Sequence, residues 1–299
     1  MLFSGGLDSI LAARILMDQN IKIIPLCLKS FFFDCSLAEE TIKELGLKLK
    51  VLNISEKHLD VIKNPKRLTG KGMNPCIDCH LFMIKSAKEE MLKYGCDFMA
   101  TGEVLNERPF SQNRNIFTLA EKESGLEGLI LRPLSAKLLP ITIPEKEGLV
   151  DREKLFDING KSRKKQIALV EKFKIKDFPN PAGGCILTDK DYSKRLKKLF
   201  NEVPNCDGSD CLIIRSGRVF WKDNFMFIVG RTKEDNSMIL KLKKKEDVVI
   251  EPDNFAGPTV LTRGFGKKIE EDVMNEAVGL LMDYSKKIPE EAIVKTSLK

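Results

Sequence analysis

Ser4-Gly5-Gly6-Leu7-Asp8-Ser9 is a glycine-rich turn carrying two hydroxyls and a carboxylate, and it runs straight into an amphipathic helix through Ile10, Leu11, Ile15 and Leu16. The two glycines let the backbone turn its N–H groups toward an anion. The serines add donors, and the N-terminus of the following helix adds a favourable dipole. The stretch reads as a phosphate cradle, with a plain strand-to-helix turn capped by serine as the competing reading. It is not the ordinary P-loop, which places a lysine after the second glycine of G-x-x-x-x-G-K-S/T. No lysine follows Gly6, and Leu155 stands where Gly160-Lys161-Ser162 would need its first glycine. Only Met1, Leu2 and Phe3 precede the turn, whereas a buried strand runs about five or six residues. The presenting strand is therefore expected to begin upstream or to have been trimmed.

The 299 residues give room for two domains, and 42% hydrophobic content is enough for real cores. No run approaches the length of a membrane span and no leader with a cleavage site opens the chain, so a cytoplasmic protein is expected. The net charge of +7 permits a polyanionic partner without demanding one. Eight cysteines without a secretion signal read as thiols, metal ligands or catalysts rather than disulfides.

Along the chain, strands at Ile21–Leu28, Leu47–Ile54, Cys96–Ala100 and Gly128–Leu131 alternate with helices at Ala38–Leu45 and Leu81–Lys93. This rhythm predicts an α/β fold with a doubly wound parallel sheet, whose ligands sit at the carboxyl ends of the strands. The Ser4–Ser9 loop and the Thr101-Gly102-Glu103 turn both follow strands and can share one crevice. A basic helix at Ser162–Phe173, a turn-rich loop from Phe178 to Cys185 and a helix at Asp191–Phe200 complete the first domain, residues 1–203. Residues 204–299 form a smaller α+β domain, with strands expected at Cys211–Ile214, Val219–Trp221, Phe225–Val229 and Met238–Leu242. Its last helix is expected at Lys268–Tyr284.

Asn74-Pro75-Cys76-Ile77-Asp78-Cys79-His80 sets two thiols at C-x-x-C spacing on a loop entering a helix, where the dipole favours thiolate. A zinc site wants four closed ligands, whereas an iron–sulfur cluster can be held with one iron left open. A redox pair or half a zinc site are the alternatives. Cys27 and Cys96 read as core residues and Cys35 is ambiguous; Cys206 and Cys211 have no further pair to complete a metal site. His80 is a polar neighbour of Cys79 rather than a ligand. His58, in a charged helix, is given no role, and Trp221 reads as a packing residue.

The S-G-G-x-D-S string resembles the PP-loop of N-type ATP pyrophosphatases. Asn74-Pro75 with Cys79 and the later Gly184-Cys185 resemble the cysteine pattern of PP-loop tRNA thiolases, the enzymes that make 2-thiouridine and 4-thiouridine. Met99–Glu103 with Ser111-Gln112, and Leu131-Arg132-Pro133-Leu134, resemble further segments bordering the site, while Asn106–Pro109 departs from the family's usual residues. The resemblance implies that Ser4, Gly5, Gly6, Asp8, Ser9, Thr101 and Gly102 bind ATP, with Asp8 recruiting Mg2+. The extra Cys76 makes a trio resembling the cluster-dependent branch, in which Cys76, Cys79 and Cys185 hold a 4Fe-4S cluster. In the cluster-free branch Cys79 carries a persulfide and Cys185 resolves it.

Residues from about 205 onward, with Gly217-Arg218-Val219-Phe220-Trp221, Val229-Gly230-Arg231, Asp235-Asn236, Gly257-Pro258 and Tyr284-Ser285-Lys286, resemble the NFACT RNA-binding domain. The stretch Asp247–Glu251 departs from its pattern. Arg218, Arg231, Arg263, Lys267 and Lys268 are the expected phosphate contacts. Together these readings imply an ATP-dependent tRNA sulfurtransferase that adenylates a uridine carbonyl and exchanges its oxygen for sulfur. Its expected partners are tRNA and sulfide or another sulfur donor, without a membrane, and a homodimer is left open. Modification of a small molecule and a non-enzymatic RNA-binding adaptor are the alternatives.

Overall fold

The computed structural model describes residues 1–176, 178–179 and 185–297. Part of the loop expected between Phe178 and Cys185, including Gly184, lies outside the described residues. The chain forms two compact units, Met1–Thr188 and Asp189–Lys299. The division thus falls before the helix expected at Asp191–Phe200, not near residue 203. No helix among the described residues is long and apolar enough to cross a membrane.

The first unit is mixed α/β. It runs α1 (Leu7–Met17), β1 (Leu26–Lys29), α2 (Ser36–Thr41), β2 (Lys50–Asn53), α3 (Ser55–Lys63), α4 (Cys76–Lys93), β3 (Met99–Ala100), α5 (Arg114–Ser124), β4 (Ile130–Leu131), α6 (Ile143–Lys146) and α7 (Lys164–Phe173). β1 pairs in parallel with β2, and β3 with β4. Residues 1–3 reach both pairs: Leu2 N–H donates to Ala100 O at 2.9 Å, Phe3 N–H to Leu26 O at 2.9 Å, and Leu26 N–H to Met1 O at 2.8 Å. Leu2 and Leu26 form a parallel bridge. The Ser4 loop therefore leaves from a position between the two pairs. The strands are shorter than their apolar runs because residues such as Ile21 and Ile23 pack against the core without pairing.

The helix after the loop is not amphipathic: eight of its eleven residues are buried. Leu7, Leu11, Ile15 and Leu16 pack with Ala100, Val104 and Leu131, while Ile10 and Ala13 pack with Phe3, Cys27 and Ala38. Each such Leu or Ile is stabilised by roughly 1.5–3 kcal/mol on burial, which anchors the loop from its C-terminal side. α4 begins at Cys76 rather than Leu81, so both thiols lie in the first turns of an 18-residue helix. Asp78, near its N-terminus, accepts the backbone N–H groups of Lys66 and Arg67 at 2.8 and 2.9 Å and ties down the preceding loop.

The second unit runs α8 (Lys190–Glu202), α9 (Gly208–Ile213), β5 (Arg218–Lys222), β6 (Phe225–Val229), α10 (Lys233–Leu242), β7 (Val248–Pro252), β8 (Val260–Arg263), α11 (Glu271–Asp283) and β9 (Val294–Ser297). Its five strands form one antiparallel sheet in the order β5-β6-β8-β7-β9. Val273, Ala277 and Leu281 of α11 pack with Phe227, Val229, Val248, Ile250 and Val260. Two expected strands are helices. Asp207 accepts the N–H groups of Ser209 and Asp210 while Asp210 returns a bond to Asp207 N–H, and Thr232 accepts Asp235 N–H. These caps decide for helix where a short apolar run alone is ambiguous.

Arg263, expected to face phosphate, is instead 1% exposed. Its guanidinium donates to Asp247 and to Asp210, at 2.6 Å in each case. Lys244 completes the cluster at Asp207 and Asp210. Removing the cation strands two buried carboxylates, so Arg263→Met is expected to cost about 3–5 kcal/mol. Urea unfolding followed by fluorescence of Trp221, the single tryptophan, checks this. A midpoint equal to that of the native chain contradicts it.

Candidate functional site

The loop is held by close backbone approach. Gly5 sits at φ +78°, and a Cβ there would lie 2.6 Å from the backbone of Leu37 and Ala38. A Cβ on Gly102 would lie 2.7 Å from the Asp8 carbonyl carbon and the Ser9 nitrogen. Only glycine fits at either place. Ser9 Oγ donates to Gly6 O at 2.8 Å and closes the turn, while Ser4 is exposed at its mouth. No side chain caps the N-terminus of α1, which leaves its first N–H groups suited to an anion. Thr101 differs from expectation: its hydroxyl donates to Glu103 Oε2 at 3.0 Å and its N–H to Leu131 O at 3.0 Å. Gly102, rather than the Thr101 hydroxyl, is what meets the loop.

Around Asp8 the structure gathers groups that the sequence did not single out. Burial raises the Asp8 carboxyl above its ordinary pKa, opposed by a hydrogen bond from Gln166 (3.4 Å) and by the Arg163 and Arg108 guanidiniums. Burial also raises Glu107, and the Asp8 charge raises it further. A raised Asp8 carboxyl whose charge also raises Glu107, with the Arg163 and Arg108 charges acting on both, suits a divalent cation carrying phosphate. Gln166 Oε1 and Arg163 Nε are buried without a hydrogen-bond partner among the described residues, so this pocket holds polar capacity that the chain itself leaves unused.

The segment that carries Cys185 is held beside the entrance to α4, where Cys76 and Cys79 lie. Met73 N–H, just ahead of α4, donates to Leu187 O at 3.1 Å, and Thr188 N–H and Oγ1 bond back to Cys185 O at 2.8 and 2.7 Å. Burial raises the Cys76 thiol, Cys185 raises it further, and Arg108 and the Asn74 side chain oppose the rise. Cys79 is pushed far up by burial, then by Cys185, Cys76 and Asp78. Among the described residues no group of three Cys, His, Asp or Glu side chains already stands in metal-holding spacing. The exposed Arg108 guanidinium lowers the pKa of Asp8, Glu107 and Cys76 alike. It lies within Asn106–Pro109, the segment that departs from the family pattern.

His58 was missed. Its Nε2 lies 3.1 Å from Cys79 Sγ and its Nδ1 2.6 Å from Ser30 Oγ. It is fully buried, and burial brings its pKa down to about 4. The signal was in the sequence: His58 shares a face with Leu59 and Ile62, which are also buried, and is the inward residue of a helix whose charges point outward.

Glu103 links the two halves of the site. It accepts from Thr101, lies 3.2 Å from His80 Nδ1 and pairs with Arg132 at 3.1 Å. Burial raises this carboxyl, but the Arg132 charge, the His80 hydrogen bond and charge, and the Thr101 hydrogen bond together bring it down to about 2. A depressed carboxyl stabilises the fold above its ordinary pKa and loses that contribution as pH falls through the folded value. The native chain is therefore expected to lose roughly 3 kcal/mol between about pH 4.5 and 2 that Glu103→Gln does not lose. Paired acid titrations by circular dichroism test this. Parallel curves contradict it.

Comparisons with known proteins fit both units. Residues 217–298 match the family described as NFACT protein RNA binding domain. The tRNA-specific 2-thiouridylase MnmA of Clostridioides difficile is 27% identical over 220 residues, 65% of this chain and 56% of that protein. The same enzyme of Acetivibrio thermocellus is 25% identical over 221 residues, 65% of this chain and 57% of that protein. The chain thus spans little more than half the length of these relatives. Among solved structures, the U34-tRNA thiolase NcsA from Methanococcus maripaludis with its 4Fe-4S cluster superposes with a TM-score of 0.30 at 17% identity. It covers 71% of this chain and 68% of that chain, a likeness too loose to decide fold or site. The chain is thus similar in sequence to tRNA-specific 2-thiouridylases over about two thirds of its length, and to NFACT RNA-binding domains over residues 217–298.

Proposed function

We propose that this chain is a cytoplasmic, ATP-dependent tRNA sulfurtransferase whose first unit adenylates a uridine carbonyl and whose second unit holds the RNA. The observation that carries the reading is the closure of the Gly102 backbone on Asp8 and Ser9, together with the bond from Met73 N–H to Leu187 O that holds the Cys185 segment beside the start of α4. In this reading residues 1–3 are the central strand of a doubly wound parallel sheet, supported by their bonds to Leu26 on one side and Ala100 on the other. The loop then leaves the sheet at its topological switch point, where such folds bind ligands.

A carbonyl oxygen of uracil is a poor leaving group and has to be activated. The oxygen attacks the α-phosphorus of ATP, pyrophosphate departs, and the carbon is left bearing AMP. The N–H groups at the start of α1, with Gly5, Gly6 and Ser4, cradle the departing pyrophosphate. Asp8 and Glu107 take Mg2+, and Arg108 and Arg163 offset the charge that develops. Sulfur then attacks the activated carbon and AMP leaves.

The donor set of Cys76, Cys79 and Cys185 fits a 4Fe-4S cluster: Cys185 raises the Cys76 and Cys79 thiols, and a cationic centre would reverse that cost. Such a cluster supplies an iron through which sulfur from sulfide or another donor is delivered. A second reading is favoured by the absence of preformed metal-holding spacing among the described residues. There a Cys79 persulfide attacks the carbon, Cys185 thiolate displaces the thiouridine sulfur from Cys79, and an external dithiol reduces the resulting disulfide. Arg218, which lies over the Tyr284 ring at 4.6 Å, and exposed Lys267 and Lys268 are the RNA contacts in the second unit. Arg231 is held at 2.8 Å by Asp235.

Anaerobic purification with iron and sulfide assayed in the native chain and in Cys76→Ala separates the two sulfur schemes. The cluster reading predicts iron and sulfide in the native chain and their loss in the variant. Full tRNA thiolation by an iron-free Cys76→Ala chain contradicts it and favours the persulfide. Gly102→Val, which drives a side chain into Asp8 and Ser9, is expected to lower tRNA-stimulated pyrophosphate release roughly 100-fold or more. Native-level release from this variant removes the nucleotide assignment.

A further inference from the structure

Cys79 is held by a hydrogen-bonded chain that neither the nucleotide site nor the thiol trio requires. Phe32 N–H donates to Ser30 Oγ at 3.3 Å, Ser30 Oγ lies 2.6 Å from His58 Nδ1, and His58 Nε2 lies 3.1 Å from Cys79 Sγ. The imidazole stacks on Phe82 with centroids 6.0 Å apart and an interplanar angle of 5°. Phe32 meets it edge-on at 5.7 Å and Phe33 at a tilt at 5.3 Å. The ring is fully buried and enclosed by three aromatics.

The state of the sulfur sets which atoms donate. A thiolate, a persulfide or a metal-bound sulfur has no proton to give, so beside such a sulfur the His58 nitrogen 3.1 Å away has to donate. Ser30 then donates its single proton to Nδ1 at 2.6 Å. A neutral imidazole that accepts at Nδ1 carries its proton on Nε2, and Nε2–H points at Cys79 Sγ. The sulfur is met by a donor, which suits a thiolate, a persulfide or a metal-bound sulfur and not a thiol needing an acceptor.

We propose that His58, locked by Ser30 as the Nε2-protonated tautomer, is the positioning residue that holds the Cys79 sulfur as a hydrogen-bond acceptor for sulfur loading. The proposal rests on the sulfurtransferase reading for the purpose of Cys79, but its geometry is tested without ATP, tRNA or cluster. Failure of tRNA thiolation and failure of this contact are therefore separate results.

The chain contains two histidines, so a 15N-histidine label gives two ring systems and His80→Ala assigns them. Nitrogen–proton correlation spectra of the reduced, metal-free full chain are expected to show His58 protonated on Nε2 alone, and Ser30→Ala is expected to release that tautomer. At one fixed pH, iodoacetamide labelling of Cys79, read by mass spectrometry, should slow roughly tenfold in His58→Phe. His58→Phe keeps an aromatic ring in the stack and removes the donor, and His58→Gln, which restores an N–H near the same place, should recover much of the rate. A packing role alone leaves His58→Phe at the native rate. Ser30→Ala keeps the imidazole, should slow labelling in the same direction, and carries the test should the His58→Phe chain not fold. Protonation of His58 on Nδ1, or equal labelling of Cys79 in the native, His58→Phe and Ser30→Ala chains, overturns the proposal.

Discussion

The contact on which the first unit depends is the approach of the Gly102 backbone to the peptide joining Asp8 and Ser9, with no space for a single added carbon. On its far side the same loop is pressed at Gly5 against the start of α2, and α1, which continues it, is buried on nearly every face. The short turn is thereby fixed by three independent packings. Such over-determination is what holds the glycine at positive φ and the first turn of α1 in place.

The thiols answer to a different constraint. Burial and mutual proximity both oppose ionisation of Cys76 and Cys79, so the bare chain pays to gather them. Positive charge, a hydrogen-bond donor or a bound sulfur centre offsets that cost; Arg108 opposes the rise at Cys76, and His58 Nε2 lies 3.1 Å from Cys79 Sγ. A site that is costly when empty and relieved when loaded is coherent with sulfur carriage, whichever of the two sulfur schemes operates.

Much of this arrangement was legible in the residues. The Ser4–Ser9 turn, the Thr101-Gly102 turn and the cysteine trio are each encoded by local chemistry that has few other uses; the structure sets Gly102 against the first turn and holds the Cys185 segment beside the start of α4. What sequence could not supply was the side chains that reach in from elsewhere. Arg108 and Glu107 lie in a loop without periodicity, Arg163 and Gln166 lie at the start of α7, and His58 looked like one more polar residue in a charged helix. Their roles come from tertiary packing alone. The strands expected at Cys211–Ile214 and Met238–Leu242 failed for a local reason, since Asp207 and Thr232 cap helices there and outweigh the apolar runs. Arg263 shows the reverse case, a cation whose position in a basic segment suggested phosphate but whose partners are two buried carboxylates.

The most direct measurement is the ratio of pyrophosphate released to thiouridine formed, with bulk tRNA, ATP, Mg2+ and sulfide supplied anaerobically and the RNA digested to nucleosides for mass spectrometry. Adenylation and sulfur transfer at one site predict release that requires tRNA and equals the thiouridine produced. Pyrophosphate released without tRNA, or with tRNA but no thiolated nucleoside, contradicts a single shared site.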